Sequence, residues 1–351
     1  MRSILGRGGR AAKMDTMEPA AKRDLLSTED LDNDSVGNLL ELAAHMQHRG
    51  PQDQLKGKTL GLLFQDPSLR TRVSFEVAMI QLGGSAIVLS SATDVYAFEA
   101  ESQTVMDGVA EEHVKDAART LSRYVDAIGL RAAIRTGNWE EDRTDALLRA
   151  YSQYASVPVV NLQSHMHHPC QALADIFTMR QECGDLAGKT LTLAWTQNPE
   201  PQSLGAPHSL ALLAARMGMN VKVTHPQGFE LDGEIMDSAR AHADETGGSI
   251  QVMHDLEEGA RGTDFVYARS WRSLGAYADP DRELLLKRSL DHWKITSDIL
   301  ALGNNAWFLH PLPVRRNLSV TDDVLDGERS LIYDQAENRL HTQKALLVSL
   351  M

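Results

Sequence analysis

Pro67-Ser68-Leu69-Arg70-Thr71-Arg72 lies between a strand-like run, Thr59-Leu60-Gly61-Leu62-Leu63-Phe64, and a helical pattern, Ser74-Phe75-Glu76-Val77-Ala78-Met79-Ile80. A turn between a strand's carboxyl end and a helix's amino end offers backbone N–H groups that lack partners, at the positive end of the helix dipole. Ser68 and Thr71 add hydroxyl donors, and Arg70 adds a fork that can grip two oxygens of one anion. The plainer alternative is a polar helix cap. A cap needs one Ser or Thr, not a Ser-x-Arg-Thr-Arg string, so the stretch is read as a phosphate cradle.

Outward from this turn, strand-like and helical runs alternate. Strands are expected at 59–64, 86–91, 126–131, 157–162, 190–195, 221–225, 250–253, 264–268, 307–311 and 331–333. Helices are expected at 74–82, 113–124, 141–154, 170–182, 208–217 and 233–245. Such alternation predicts an α/β fold, with parallel sheets covered by helices. Ten strands fit two doubly wound domains better than one barrel, although periodicity alone does not separate the two. In doubly wound sheets a ligand sits beyond the carboxyl ends of the strands. No internal repeat and no low-complexity tract is visible.

The chain has 351 residues, enough for two domains. Hydrophobic content is 42% and charged content 24%, as in a globular protein. A formal net charge of −13 argues against bulk nucleic-acid or anionic-membrane binding, while leaving room for a local phosphate site. No apolar run approaches about 18 residues, so no membrane-spanning helix is expected. Cys170 and Cys183 show neither metal spacing nor a disulfide framework, which suits a reducing cytoplasm. Residues 1–24 are basic and have no apolar core, so they are not a secretory signal. They are read as a flexible or mis-started extension rather than a transit peptide, with Met14 and Met17 as alternative starts.

Two later segments extend the pattern. His168-Pro169-Cys170-Gln171 follows an apolar run at 157–162 and precedes a helix. His310-Pro311-Leu312-Pro313-Val314-Arg315-Arg316 follows Trp307-Phe308-Leu309. In this order and spacing the three motifs resemble the aspartate/ornithine carbamoyltransferase family, with S-x-R-T-R, H-P-x-Q and H-[PC]-L-P. The resemblance runs from about Leu55 to the C-terminus. Val105-Met106-Asp107-Gly108, Glu111-Glu112-His113, Ala268-Arg269-Ser270-Trp271, Val314-Arg315-Arg316-Asn317 and Ala336-Glu337-Asn338-Arg339-Leu340 are similar to the N-acetylornithine and N-succinylornithine branch.

That resemblance implies two doubly wound domains: residues 25–160 plus 330–351 for carbamoyl phosphate, and 161–329 for the amine. It implies a trefoil knot in the second domain, where a loop near 196–209 bracketed by Pro199, Pro201 and Pro207 is crossed by a segment around 270–310. It implies a cytoplasmic homotrimer that uses no cofactor and no metal, and that transfers a carbamoyl group to the side-chain amine of an N-acylated ornithine. The product would be an N-acylcitrulline of arginine biosynthesis. By the same resemblance Ser68, Leu69 (through its N–H), Arg70 and Thr71 hold the phosphate, and Arg131 bridges phosphate and carbonyl oxygen. His168 would bond that oxygen. Gln171 and the backbone at Pro311 and Leu312 would accept from the carbamoyl NH₂, and Arg339 would be a further contact. Tyr96 matches an aromatic that reaches into the neighbouring subunit's site. Arg269 and Arg315 would clamp the substrate's α-carboxylate, with Glu111, Gln163 and His208 also on the amine side.

The chain departs from the branch mainly on that side. Gln163 stands for a Glu, His208 for an Asn, Arg269 for a Lys, Ser319 for a Lys, and Glu200 for a basic residue of the loop, while Pro311 stands for a Cys. Glu111 matches acetyl-type rather than succinyl-type enzymes, because a carboxylate there would repel a succinyl chain. Acetylornithine is therefore preferred, with succinylornithine or another amine as alternatives and a catalytically silent relative as the non-enzyme reading. His165, His167 and His168 suggest a metal site only weakly, since no Cys or carboxylate at ligand spacing accompanies them. No G-x-G-x-x-G follows an early strand, which disfavours a dinucleotide enzyme.

Overall fold

The computed structural model describes residues 22–50, 52–132 and 136–351. The expected N-terminal extension, apart from its last three residues, lies outside them, as do Met14 and Met17. Two parallel sheets form the frame. The first contains β1 (Thr59–Phe64), β2 (Ser85–Ser90), β3 (Ala127–Arg131) and β4 (Val159–Gln163), in the order β2-β1-β3-β4. The second contains β5 (Thr190–Trp195), β6 (Asn220–Thr224), β7 (Ser249–Met253), β8 (Phe265–Arg269) and β9 (Trp307–Leu309), in the order β9-β8-β5-β6-β7. The central strands are continuous apolar runs buried on both faces. Leu60 to Phe64 and Leu191 to Trp195 are buried without interruption, as strands covered by helices on both sides require.

Helices α1 (Asn33–Gln47), α2 (Leu69–Gln81), α3 (Pro169–Cys183), α4 (Gly205–Arg216), α5 (Gly233–Thr246) and α6 (Ile332–Leu350) complete the main framework. Every residue of α3 from Pro169 to Met179 is buried, so only its last turn meets solvent. The last helix, α6, returns to pack on α1, α2 and α3. At the start of α4 a Cβ on Gly205 would lie 2.8 Å from the Ser164 carbonyl oxygen, so only glycine lets the loop after β4 approach this closely.

Nine of the expected strands are present. The tenth, at 331–333, is instead the start of α6: Ser330 makes an isolated bridge to Phe308, and the buried positions Gln335, Asn338, Arg339, Thr342 and Leu346 then follow a helical spacing. The helix expected at 74–82 begins five residues earlier, because Ser68 caps it by accepting from the Thr71 N–H. The helix expected at 141–154 is two, Trp139–Asp142 and Ala146–Tyr154, separated at Asp145, whose φ is +49°. A two-residue pairing of Phe98–Glu99 with Glu112–His113 was too short to leave a periodic signal. The loop after β5 is tied to the later chain. The Gln197 N–H donates to Trp293 O at 3.0 Å, its side-chain amide donates to Lys287 O at 2.6 Å, and the Arg272 N–H donates to Gln202 O at 3.1 Å. Among the described residues no helix is long and apolar enough to cross a membrane.

Candidate active site

The strand ends converge. Phe64 pairs with Arg131, and Arg131 pairs with Gln163, so the phosphate turn, Arg131 and Gln163 leave the first sheet side by side. In the second sheet Arg269 pairs with Trp195, and Tyr267 with Leu309. The loops at 196–204 and 270–277 and the His310-Pro311-Leu312 turn therefore face the first sheet's loops. Between them lies a cleft of about 310 Å³, the size of a small-molecule site.

One wall is the cradle. Ser68, Leu69, Arg70 and Thr71 line the cleft at the first turn of α2. Leu69 turns its side chain out to solvent, 71% exposed, so its contribution is its backbone. Arg339 reaches from α6 and donates from Nη2 to Thr71 Oγ1 at 2.9 Å and from Nη1 to Gln171 Oε1 at 3.2 Å. Gln171 in turn donates from Nε2 to Asp175 Oδ1 at 2.8 Å. Gln335 donates to the same oxygen at 2.6 Å and accepts from the His310 N–H at 3.0 Å. One hydrogen-bond chain thus joins all three sequence motifs through α6. It fixes the Gln171 amide with its oxygen toward Arg339, leaving a second lone pair on that oxygen. Burial pushes the Asp175 carboxyl up to about 6, against the opposing effect of its two amide donors.

His168 is the residue before α3, with Pro169 filling the first helical position where no N–H is needed. Its backbone N–H donates to Ser209 Oγ at 2.9 Å, while its buried Nδ1 has no hydrogen-bond partner. Burial, and then the guanidiniums of Arg339, Arg131 and Arg269, holds its pKa well below the usual imidazole range. At neutral pH it is a neutral ring with one N–H to donate. Burial also pushes Arg131 down to about 10; Asp66 opposes this, and Arg339, Arg269 and Arg70 add to it. The Cys170 thiol is raised to about 12 by burial, which leaves it protonated and a poor nucleophile.

The opposite wall comes from the second sheet. Pro311 and Leu312 line the cleft there, and Gln163 joins them from the end of β4 in the first sheet. Arg269 donates to Pro311 O at 3.4 Å and to Gln202 Oε1 at 3.3 Å. Five guanidiniums, those of Arg70, Arg131, Arg269, Arg272 and Arg339, line the cleft, against Asp66 as the one carboxylate. Such a surface is built for multiply charged anions.

His208, Arg315 and Glu111, expected here, are placed elsewhere, and Tyr96, expected in a neighbouring subunit's site, is outside this lining too. His208 is fully buried on α4. It bonds Met166 O through Nδ1 at 3.1 Å and accepts from the Asp232 N–H through Nε2 at 3.1 Å, so both ring nitrogens are committed to backbone. It holds the loop after β4 against the start of α5. Arg315 is exposed and outside the lining, as is Glu111. Tyr96 lies 60% exposed on the loop after β2. Sequence reasoning missed Arg272, Tyr277, Gln202 and Asp66 in the lining. Asp66 and Arg272 lie within three residues of a recognised strand end, which is the signal that could have found them. Tyr277 and Gln202 lie deeper in loops with no such mark. Of His165, His167 and His168, the first and last line the cleft, and the Tyr277 hydroxyl is 3.5 Å from His165 Nδ1. Among the described residues no group of three or more His, Cys, Asp or Glu is arranged to hold a metal ion.

Comparison with known proteins gives a consistent result. Residues 23–181 match the aspartate/ornithine carbamoyltransferase carbamoyl-P binding domain, and residues 206–350 the aspartate/ornithine carbamoyltransferase Asp/Orn binding domain. The chain is 40% identical over 332 residues to the N-acetylornithine carbamoyltransferase of Xanthomonas campestris pv. campestris, covering 94% of this chain and 98% of that protein. It is 39% identical over 329 residues to an ornithine carbamoyltransferase of Gloeobacter violaceus, covering 93% of this chain and 95% of the relative. A crystal structure of acetylornithine transcarbamylase complexed with acetylcitrulline superposes with a TM-score of 0.92 at 40% identity, over 93% of this chain and 99% of the other. A mutant N-acetyl-L-ornithine transcarbamylase complexed with carbamyl phosphate and N-succinyl-L-norvaline superposes at 0.91, with the same identity and coverage.

Proposed function

The chain belongs to the aspartate/ornithine carbamoyltransferase family, and on that premise we propose that its cleft transfers the carbamoyl group of carbamoyl phosphate to the side-chain amine of N-acetylornithine, yielding N-acetylcitrulline and phosphate in arginine biosynthesis. The observation that carries this reading is the convergence of the cradle, five guanidiniums and a neutral His168 on one cleft.

Each residue then has a task. The Leu69 N–H, the hydroxyls of Ser68 and Thr71, and the forks of Arg70 and Arg339 hold the phosphate. Arg131 and His168 donate to the carbonyl oxygen, which gains negative charge as the neutral amine adds to carbon; a preorganised donor of this kind is worth roughly 3 kcal/mol of barrier. Gln171 Oε1 and the backbone at Pro311 and Leu312 accept from the carbamoyl NH₂. The carbon–oxygen bond to phosphate then breaks, and the departing phosphate takes the amine's proton. Holding both reactants in one cleft supplies much of the remaining acceleration.

The amine half supports an acylated substrate. A free ornithine carries an α-ammonium, which wants a carboxylate, and Asp66 is the one carboxylate in the lining. An acylated α-nitrogen has no charge to meet. Purified protein with saturating carbamoyl phosphate, assayed against acetylornithine, succinylornithine, ornithine, aspartate and putrescine, tests this. Acetylornithine should be converted fastest. Faster conversion of succinylornithine would overturn the Glu111 argument, and conversion of none of the five would overturn the reading itself.

The same reading takes residues 25–160 with 330–351 as the carbamoyl-phosphate domain and 161–329 as the amine domain. It takes the loop at 196–209, tied to Lys287 and Trp293, as the crossing loop of a knot. It makes the protein a cytoplasmic homotrimer in which Tyr96 acts in the neighbouring subunit's site. Supporting this are the exposed apolar side chains of Leu69, Val73 and Ile80 on α2, Ile87 on β2 and Tyr96 on the loop after it, and free cysteines at 170 and 183. Light scattering that finds an active monomer at assay concentration would contradict the trimer.

A further inference from the structure

Arg272 is a buried cation whose counter-charge is shared. It follows Arg269 by three residues, lines the cleft and is only 7% exposed. Its guanidinium stacks on the Tyr277 ring at 3.6 Å and donates from Nη2 to Tyr277 O at 2.5 Å. Its Nε has no hydrogen-bond partner and lies 3.8 Å from a Glu283 oxygen. Glu283 is already the partner of Lys287, at 2.5 Å, and both are 1% exposed. Two cations therefore share one buried carboxylate, and the triad carries one net positive charge. Glu200 is the next acidic neighbour of Lys287, and it is exposed at the surface. A buried charge without a full counterpart is costly, so a cluster with this balance favours an anion on its open side.

The open side of Arg272 is the amine half of the cleft. Arg70, Arg131 and Arg339 are grouped on the phosphate wall. Arg269 directs its two Nη groups at Pro311 O and Gln202 Oε1, leaving only its Nε without a partner. Arg315, which the family resemblance pairs with Arg269, lies exposed outside the lining. We propose that Arg272 binds the carboxylate of the amino-acid substrate, held in place by the Tyr277 ring and Glu283. The assignment rests on the acylornithine reading of the same cleft. Stacking and the bond to Tyr277 O fix the plane of the guanidinium, so its remaining edge can meet a carboxylate in a two-point contact without loss of side-chain freedom.

The test compares N-acetylornithine with its α-carboxamide, in wild type and in Arg272→Met. The methionine leaves Glu283 and Lys287 as a neutral pair, which keeps the buried charge balanced. Wild type should prefer the acid. The variant should raise KM for the acid by about 10-fold to 100-fold, with kcat, KM for the carboxamide and carbamoyl-phosphate affinity little changed. Arg272→Lys should recover part of the loss. An equal loss for acid and carboxamide would mean a structural role and would overturn the assignment, as would an unchanged KM for the acid. A wild type that converts neither compound sinks the acylornithine reading instead. Calorimetric titration of wild type and Arg272→Met with succinate then decides: tighter binding to wild type sustains the anion site, and equal or absent binding removes it.

Discussion

The Tyr277 hydroxyl donates to Asp142 Oδ2 at 2.7 Å, so the loop that carries Arg272's stacking partner is fastened to the helix Trp139–Asp142 that follows the first sheet's third strand. Trp139 packs against the same ring at 5.2 Å between centroids, and Arg143 pairs with Asp232 at 3.1 Å nearby. The two sides of the cleft are therefore coupled at its rim through one phenol.

Tyr277→Phe should separate this fastening from the stacking. The ring remains under Arg272, but a hydrogen bond to a buried carboxylate is lost. Stability should fall by about 1–3 kcal/mol in urea melts, with KM for the amine changing less than in Arg272→Met. A variant as stable as wild type would show that the bond does not hold the rim.

Arg70→Ala should weaken carbamoyl-phosphate binding by roughly 1.5–3 kcal/mol, because it removes a charged fork from a sequestered anion. Calorimetry reads this directly, and an unchanged affinity would take the turn out of the site.

His168→Ala should lower kcat by about 10²-fold to 10³-fold, the cost of one oxyanion donor. Because burial and three guanidiniums hold its pKa well below the usual value, the ring stays neutral through neutral pH. The wild-type kcat profile should then show no ionisation from His168 between about pH 6 and 9. A limb that disappears in the variant would refute the neutral-donor role.

Asp175 gives a stability signature. Its folded pKa, about 6, lies above the ordinary 3.8, so the folded state binds its proton more tightly than the unfolded state does. That contribution is fully present below about pH 4 and is lost as pH rises through about 6. Relative to wild type, Asp175→Asn should gain roughly 3 kcal/mol between pH 4 and pH 7, two pKa units at about 1.4 kcal/mol each. Urea melts at the two pH values measure the difference, and a pH-independent gap would show that the carboxyl is not perturbed.

Much of the first sheet's side of the cleft was legible in the sequence. Arg131 ends an apolar run, and Ser68, Arg70 and His168 lie in the turns that follow two others; a doubly wound sheet delivers such positions to one edge. The amine wall was harder to read. Tyr277 and Gln202 sit on loops without periodicity, and Arg272 reaches the cleft through stacking on a residue five positions away. His208 illustrates a different limit. Helical spacing can suggest which face a residue occupies, but not that both ring nitrogens are already used by backbone. The apolar triplet at 331–333 was ambiguous between strand and buried helix, as short runs are.

The late arrival of α6 has a consequence for biosynthesis. Arg339 and Gln335 are made after both sheets, yet Arg339 bonds Thr71 and Gln171, and Gln335 bonds the Asp175 that holds Gln171, all made long before. Synthesis proceeds from the N-terminus, and early segments begin folding first. A nascent chain can thus build both sheets before Thr71 and Gln171 have their partners on α6. The order of synthesis therefore places the ordering of Thr71 and Gln171 after the completion of both sheets.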